Sequence, residues 1–554
     1  MSTGANTVIE RLLADGVDVC FANPGTSEMH FVAALDSAPK MRPVLCLFEG
    51  VATGAADGYA RIAGRPAATL LHLGPGMANG LANLHNARRA HSPVVNVVGD
   101  HATYHQKLDA PLQSDIDILG NWVHGTVHRP ASAAELGETV DAAIASATHG
   151  LGRIATLILP ADLSWSESSA PGAAAPTAPP DAHLEREREI PTLASGPVEI
   201  LKTHGEQAVL LLGGPATTAA GLRAAARISA ATGARALVET FPARLARGRG
   251  VPDIPRLGYL AEQAQEQLRG TTHLILVGSR SPVTFFAYPN MPSDLVPSGV
   301  AVSYLATDRL EEIAEELGAP EGLASPASPV QLPVGPLSFD WASVVGALLP
   351  ENAIISDEAN TSGVLVPAAT AASPPHDVLT LTGGAIGQGL PVAVGAAIAA
   401  PHRPVVALQA DGSALYTISA LWTMAREQLD ITVVILNNRA YAILQNELKR
   451  VGASGAGPQA QSLLDLSNPE IDFVAIAEGF GVPAKRPPPR RNWRPISARP
   501  SVSQDLISSM PWFLLCRSAS APWAACTAPS APAGSASPPA RPPVARQGRP
   551  PTAA

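Results

Sequence analysis

Residues 405–441 read VVALQADGSALYTISALWTMAREQLDITVVILNNRAY, and this stretch decides the fold. Residues 405–409 are an apolar run of strand character, and Asp411-Gly412-Ser413 follow at once. A helical stretch comes next, then a second apolar strand over 431–436, then Asn437-Asn438-Arg439-Ala440-Tyr441. Asp411 and Asn438 are 27 residues apart, the span of one strand–helix–strand unit. Such a unit returns both side chains to the carboxyl end of a parallel sheet, where open α/β sheets bind ligands. A carboxylate and an amide oxygen are hard donors suited to Mg2+, which keeps water and phosphate as its other ligands. Gly412 lets the backbone approach a diphosphate, and the helix after it offers free N–H groups. An Asp-Gly pair alone marks only a turn; the Asn-Asn pair after a second strand makes it a metal–diphosphate signature.

The same alternation continues outward. In residues 1–165, strands are expected at 17–21, 43–48, 67–73, 93–98 and 154–159, with helical stretches at 8–13, 52–62 and 81–88. Residues 166–195, rich in Ala, Pro and Ser, form a linker. Residues 196–325 repeat the pattern with strands at 208–212 and 274–277, and 326–336 form a second linker. Residues 337–484 are a third unit that adds a strand at 353–356 to the two already quoted. The fold class expected is α/β: three doubly wound parallel-sheet domains followed by a disordered C-terminal tail.

Composition bounds the function. The chain has 554 residues, of which 46% are hydrophobic, so it can bury several cores. Its 38 basic and 47 acidic residues give a net charge of −9, which argues against a nucleic-acid partner. The four cysteines, at 20, 46, 516 and 526, have no metal-ligand spacing. No signal-peptide pattern opens the chain, and no apolar run reaches the roughly 18 residues of a membrane span. A cytoplasmic protein is the expectation.

The tail departs from everything before it. Residues 485–554 contain 15 prolines, ten basic residues and a single acid, Asp505. Without them the chain carries 28 basic and 46 acidic residues. Low-complexity text of this kind does not build a sheet. A natural basic tail is one reading; a shift of reading frame near Ala484 is the sharper one. The third sheet is then expected to lack its last strand, with at most a short helix near 505–510.

The quoted stretch resembles the diphosphate-binding motif of thiamine diphosphate enzymes, GDG followed by NN, with Ala410 in place of the first glycine. The resemblance implies that Asp411, Asn438 and the Ala440 carbonyl bind Mg2+, and that Gly412, Ser413 and Tyr441 contact the diphosphate. Upstream, Thr382-Gly-Gly-Ala-Ile-Gly-Gln-Gly389 matches the loop at the cofactor's pyrimidine; Gly384 and Ile386 take those roles. Thr361 and Ser362 stand where the family has a loop near the diphosphate. Glu49, after the apolar run 44–48, matches the glutamate that hydrogen-bonds N1′ of the pyrimidine. A protonated carboxyl at that place can donate to N1′.

Further likenesses add substrate-side residues. Asn23-Pro-Gly-Thr-Ser-Glu28 and Leu71-His-Leu-Gly-Pro-Gly76 are similar to benzoylformate decarboxylase, which implies proton transfer by His72 and substrate contact by Thr26. Gln113 resembles a glutamine near the substrate of acetohydroxyacid synthases. The chain is most similar to the acetolactate synthase large-subunit-like group. Residues 443–449 lack the tryptophan of authentic acetohydroxyacid synthases, and Gly213-Gly214 do not complete a GxGxxG, so FAD is not expected. The resemblance implies a thiamine diphosphate- and Mg2+-dependent carboligase or decarboxylase of 2-oxo acids. Its partners would be small molecules and copies of itself, as a homodimer or homotetramer with active sites at subunit interfaces. A simple benzoylformate-type decarboxylase is the alternative. A catalytically impaired cofactor-binding protein is another, suggested by the tail.

Overall fold

The computed structural model describes residues 2–168, 196–321, 341–453, 457–486 and 515–517. Strands β1 (Val19–Asn23), β2 (Arg42–Leu45), β3 (Ala67–Leu71), β4 (Val94–Asp100), β5 (Thr126–His128) and β6 (Ile154–Pro160) form one sheet. Its order is β2-β1-β3-β4-β6-β5 and every pairing is parallel. β3, β4 and β6 are buried along their whole length, which is why their sequences are continuous apolar runs rather than alternating ones. β5 escapes a sequence reading because its three residues are half-buried and carry no apolar run.

The second sheet contains β7 (Ala208–Leu212), β8 (Arg235–Val238), β10 (His273–Val277) and β11 (Ala301–Leu305), in the order β11-β10-β7-β8, again parallel. The third is built around β12 (Ile354–Glu358), β13 (His376–Thr380), β14 (Val405–Ala410) and β15 (Ile431–Leu436). Its parallel core runs β15-β14-β12-β13. β9 (Leu245–Arg247), from the middle segment, adds antiparallel to β13 and so fastens the second unit to the third.

At the other edge, β16 (Ala484–Lys485) and β17 (Leu515–Arg517) complete the sheet, β17 pairing antiparallel with β15. The expected loss of a last strand is therefore corrected. Three residues of the tail, Leu515–Arg517, pair their backbone with β15 on one side and with β16 on the other, so β16 is the edge strand. The expected helix near 505–510, and the remainder of the predicted disordered tail, lie outside the described residues.

The first and third units meet along two helices, Glu49–Ala63 and Gly389–Ala399. Glycines let them touch. A Cβ on Gly58 would sit 2.1 Å from the Val392 carbonyl oxygen, and one on Gly395 would sit 1.9 Å from that of Ala55. Beside this crossing lies a buried ion pair. Arg61 donates Nε to Asp57 Oδ1 at 2.8 Å and Nη2 to Asp57 Oδ2 at 2.5 Å. The same guanidinium reaches the carbonyl oxygens of Thr380 (2.8 Å) and Ala243 (3.3 Å), so one side chain ties all three units. Cys20 and Cys46 are buried and unpaired, with burial pushing the Cys20 thiol up to about 12. Among the described residues no helix is long and apolar enough to cross a membrane.

Candidate active site

The carboxyl ends of β12, β14 and β15 carry the first group of expected site residues. Asp411 begins a short helix, Asp411–Ala414, directly after β14, and Asp411, Gly412 and Ser413 are all buried. Asp411 Oδ1 accepts from the Gly412 N–H at 2.9 Å, and Oδ2 from the Arg439 N–H at 2.6 Å. The second bond spans from one strand end to the next, so the two turns are held together. Asn438 Oδ1 accepts from the Ala440 N–H at 3.0 Å, and Arg439 between them has φ 59°, a left-handed conformation. Burial pushes the Asp411 carboxyl up, while those N–H groups pull it back. Tyr441 packs its ring on Gly412, where a Cβ would stand 2.5 Å from it. Ser413 Oγ donates to the Ala410 carbonyl oxygen at 3.1 Å.

The glycine-rich loop abuts this turn. Thr417 donates to the Gly387 carbonyl oxygen at 2.8 Å, and Tyr416 packs against Gly387. Gly384 and Gly387 have φ 75° and 96°, which accounts for glycine at both positions. Ile386 is half-buried in the same loop. Glu358 fixes the loop's far end. Its buried carboxylate accepts from the N–H groups of Gly387 (2.7 Å) and Gly389 (2.7 Å) and from Gln409 Nε2 (2.7 Å). Thr361 and Ser362 lie in the turn Asn360–Leu365, which packs beside β12 and β14.

The second group of residues gathers at the carboxyl ends of β1, β2 and β3. Glu49 opens its helix and is buried, with Oε2 accepting from Asn79 Nδ2 at 3.0 Å. Gly76 faces Glu49 Oε1, which would lie 3.0 Å from a Cβ there. His72 caps the helix Leu73–Arg89, one residue past β3. Its Nδ1 lies 2.8 Å from Glu28 Oε2, which also accepts from the Gly25 N–H at 2.7 Å. Glu28 is 1% exposed, and its Oε1 lies against Gly99, 1.7 Å from where a Cβ would be. Burial pushes the Glu28 carboxyl up, and His72 is the main opposing influence. Thr26 is exposed beside Gly25, on which the His72 ring rests. Gln113 has a buried Oε1 with no hydrogen-bond partner among the described residues, and its neighbour Ser114 packs on Gly74.

The helix Leu73–Arg89 links the two groups. Asn79 holds Glu49, Asn83 donates to the carbonyl oxygens of Gly50 (2.7 Å) and Gly387 (3.3 Å), and Asn86 donates to that of Ala385 (2.8 Å). The glycine loop and Glu49 therefore rest on successive turns of one helix. Glu28, Asn79, Asn83, Asn86 and Glu358 are the residues a sequence reading misses. Each is an ordinary polar residue whose burial appears only after folding. The available signals are Glu28 inside the stretch quoted with Thr26 and Glu358 in the segment that leads into Thr361 and Ser362.

The donor set fits Mg2+ and a diphosphate. Among the described residues no three His, Cys, Asp or Glu side chains cluster to hold a metal. A cation here would take one carboxylate, one amide oxygen and a backbone carbonyl, a hard oxygen set that leaves places for phosphate and water. The Asp411 carboxylate, buried and accepting from the backbone N–H groups of Gly412 and Arg439, suits that role.

Comparison with known proteins identifies the family. Residues 2–121 match the thiamine pyrophosphate enzyme N-terminal TPP binding domain, and residues 359–495 match its C-terminal TPP binding domain. The provisionally named acetolactate synthase large subunit IlvX of Mycobacterium tuberculosis is 60% identical over 493 residues, covering 87% of this chain and 93% of its own length. Benzoylformate decarboxylase of Pseudomonas aeruginosa is 29% identical over 526 residues, covering 87% and 94%. In three dimensions, a Rhodococcus jostii thiamine diphosphate-dependent 4-hydroxybenzoylformate decarboxylase superposes with TM-score 0.71 at 24% identity, covering 87% of this chain and 93% of that one. With both half-sites and a relative of this identity in hand, the chain belongs to the thiamine pyrophosphate enzyme family, within its group of acetolactate synthase-like and decarboxylase enzymes.

Proposed function

We propose that this enzyme uses thiamine diphosphate and Mg2+ to decarboxylate a 2-oxo acid and join the product to a second carbonyl compound, as an acetolactate synthase does. The observation that carries this reading is the bond from Arg439 N–H to Asp411 Oδ2, which brings the Asp411 and Asn438 turns together beside the Gly384 loop. Bound thiamine diphosphate would supply the electron sink for loss of CO2. Asp411, Asn438 and the Ala440 carbonyl would hold the cation, and Gly412, Ser413, Tyr441, Thr361 and Ser362 would face the diphosphate. Gly384 and Ile386 would seat the pyrimidine. Glu49, steadied by Asn79, holds a proton at the pyrimidine N1′. His72, with Nδ1 committed to Glu28, keeps Nε2 for moving a proton at the substrate. Thr26 and Gln113 orient the substrate.

The His72–Glu28 pair favours a second reading, in which the product is protonated to an aldehyde as in a benzoylformate-type decarboxylase. A homodimer or homotetramer belongs to either reading, supported by apolar side chains left at the surface near both half-sites: Leu47, Val364 and Tyr416. Incubation with 2-oxo acids, thiamine diphosphate and Mg2+, with CO2 and organic products read together, tests the proposal. Acetolactate-type products support the first reading and aldehydes the second. Cofactor binding with no CO2 release identifies an impaired protein and refutes both.

A further inference from the structure

The sequence Ser281-Pro-Val-Thr-Phe-Phe-Ala-Tyr288 lies in the middle unit, yet its Phe285 side chain reaches the third unit's glycine loop. Phe285 rests on Gly384, where a Cβ would stand 2.4 Å from the ring's Cζ. Phe241 and Tyr259 back the ring, with centroids 5.8 and 5.5 Å from that of Phe285, and Phe286 follows at 5.1 Å. The segment is pinned on both sides. Thr284 N–H donates to the Ser293 carbonyl oxygen at 2.8 Å. Tyr288 Oη donates to Glu447 Oε2 at 2.8 Å, on the helix Ala442–Arg450 that follows the Asn438 turn. Even so, Phe285 and Phe286 remain 42% and 52% exposed. Two fixed rings thus offer an apolar face next to Gly384, and covering such a face with another apolar group is favourable.

We propose that Phe285, backed by Phe241 and Tyr259, is the specificity wall of the active site and selects 2-oxo acids with an aromatic or similarly bulky apolar side chain over pyruvate. This rests on the reading of Gly384 as part of the cofactor site. A methyl group is too small to cover a phenyl face, whereas a second ring stacks on it. A hydrophobic pocket discriminates by amounts that a kinetic ratio resolves easily.

The test uses the full chain with thiamine diphosphate and Mg2+, comparing benzoylformate with pyruvate for wild type, Phe285→Ala and Phe285→Leu. Binding of mandelate, a non-reacting analogue of benzoylformate, is measured in parallel by calorimetry. The expected result is a wild-type kcat/KM at least tenfold higher for benzoylformate. Phe285→Ala should lower the benzoylformate-to-pyruvate ratio at least tenfold and weaken mandelate similarly, with Phe285→Leu intermediate. A wild-type preference for pyruvate, or a ratio and mandelate affinity unmoved by Phe285→Ala, overturns this inference alone. A Phe285→Ala protein that falls from oligomer to monomer with the ratio unchanged also overturns it, because the rings then serve a subunit contact. Absence of CO2 release from every acid tried overturns the proposed activity, and this inference with it.

Discussion

His72 Nδ1 and Glu28 Oε2 lie 2.8 Å apart, and the carboxylate is fully buried beneath the imidazole. A His positioned in this way has one tautomer favoured, with Nδ1–H donating to Glu28 and Nε2 left for chemistry. Glu28→Gln keeps the volume and removes the charge. It should lower kcat/KM by about 10- to 100-fold, because the imidazole loses the charged partner that fixes its orientation and tautomer. An unchanged kcat/KM in Glu28→Gln would reduce Glu28 to a packing residue.

Glu49→Gln separates proton transfer from binding. The amide can still accept from Asn79, so the fold and cofactor affinity should change little. Turnover should fall by roughly 10^2- to 10^4-fold, the usual worth of a positioned proton-transfer group. Steady-state kinetics beside calorimetric thiamine diphosphate binding check both halves.

The Asp57–Arg61 pair gives a stability prediction. Its side chains are 0% and 1% exposed, so removing either partner strands a buried charge. Asp57→Ala should destabilise by about 3–5 kcal/mol. Urea unfolding reads this, and a loss below about 1 kcal/mol would contradict the strut.

Much of this is legible in the sequence because fully buried parallel strands are often written as continuous apolar runs, as in 208–212 and 154–159. The glycines at 384 and 412, read from a motif, coincide with a positive φ and a close ring contact. Strands β5, β8 and β9 escape a sequence reading because they are short or only partly buried. The role of Asn83 is not legible either. It depends on a contact with Gly387, which lies 304 positions away in the chain. β17 is hidden because proline-rich text surrounds three strand-competent residues.

Glu239 sets a pH dependence. It follows β8 and lies against the Gly213 turn, and burial lifts its pKa from 4.5 to about 7. Between these values the folded state binds the extra proton, so this group's contribution to stability falls as pH rises from about 4.5 through about 7. Glu239→Gln should therefore gain stability over wild type at about pH 8 and little or none at about pH 4. Thermal melts of both proteins across that range give the comparison.

The central claim is that the turns after β14 and β15 form the cation and diphosphate site. Calorimetric titration of thiamine diphosphate, with and without Mg2+, into wild type and Asp411→Ala tests it most directly. Wild type should bind the cofactor tightly only with Mg2+, and Asp411→Ala should lose that Mg2+-dependent binding by at least 100-fold while keeping its fold by circular dichroism. Undiminished Mg2+-dependent binding in Asp411→Ala would contradict the account.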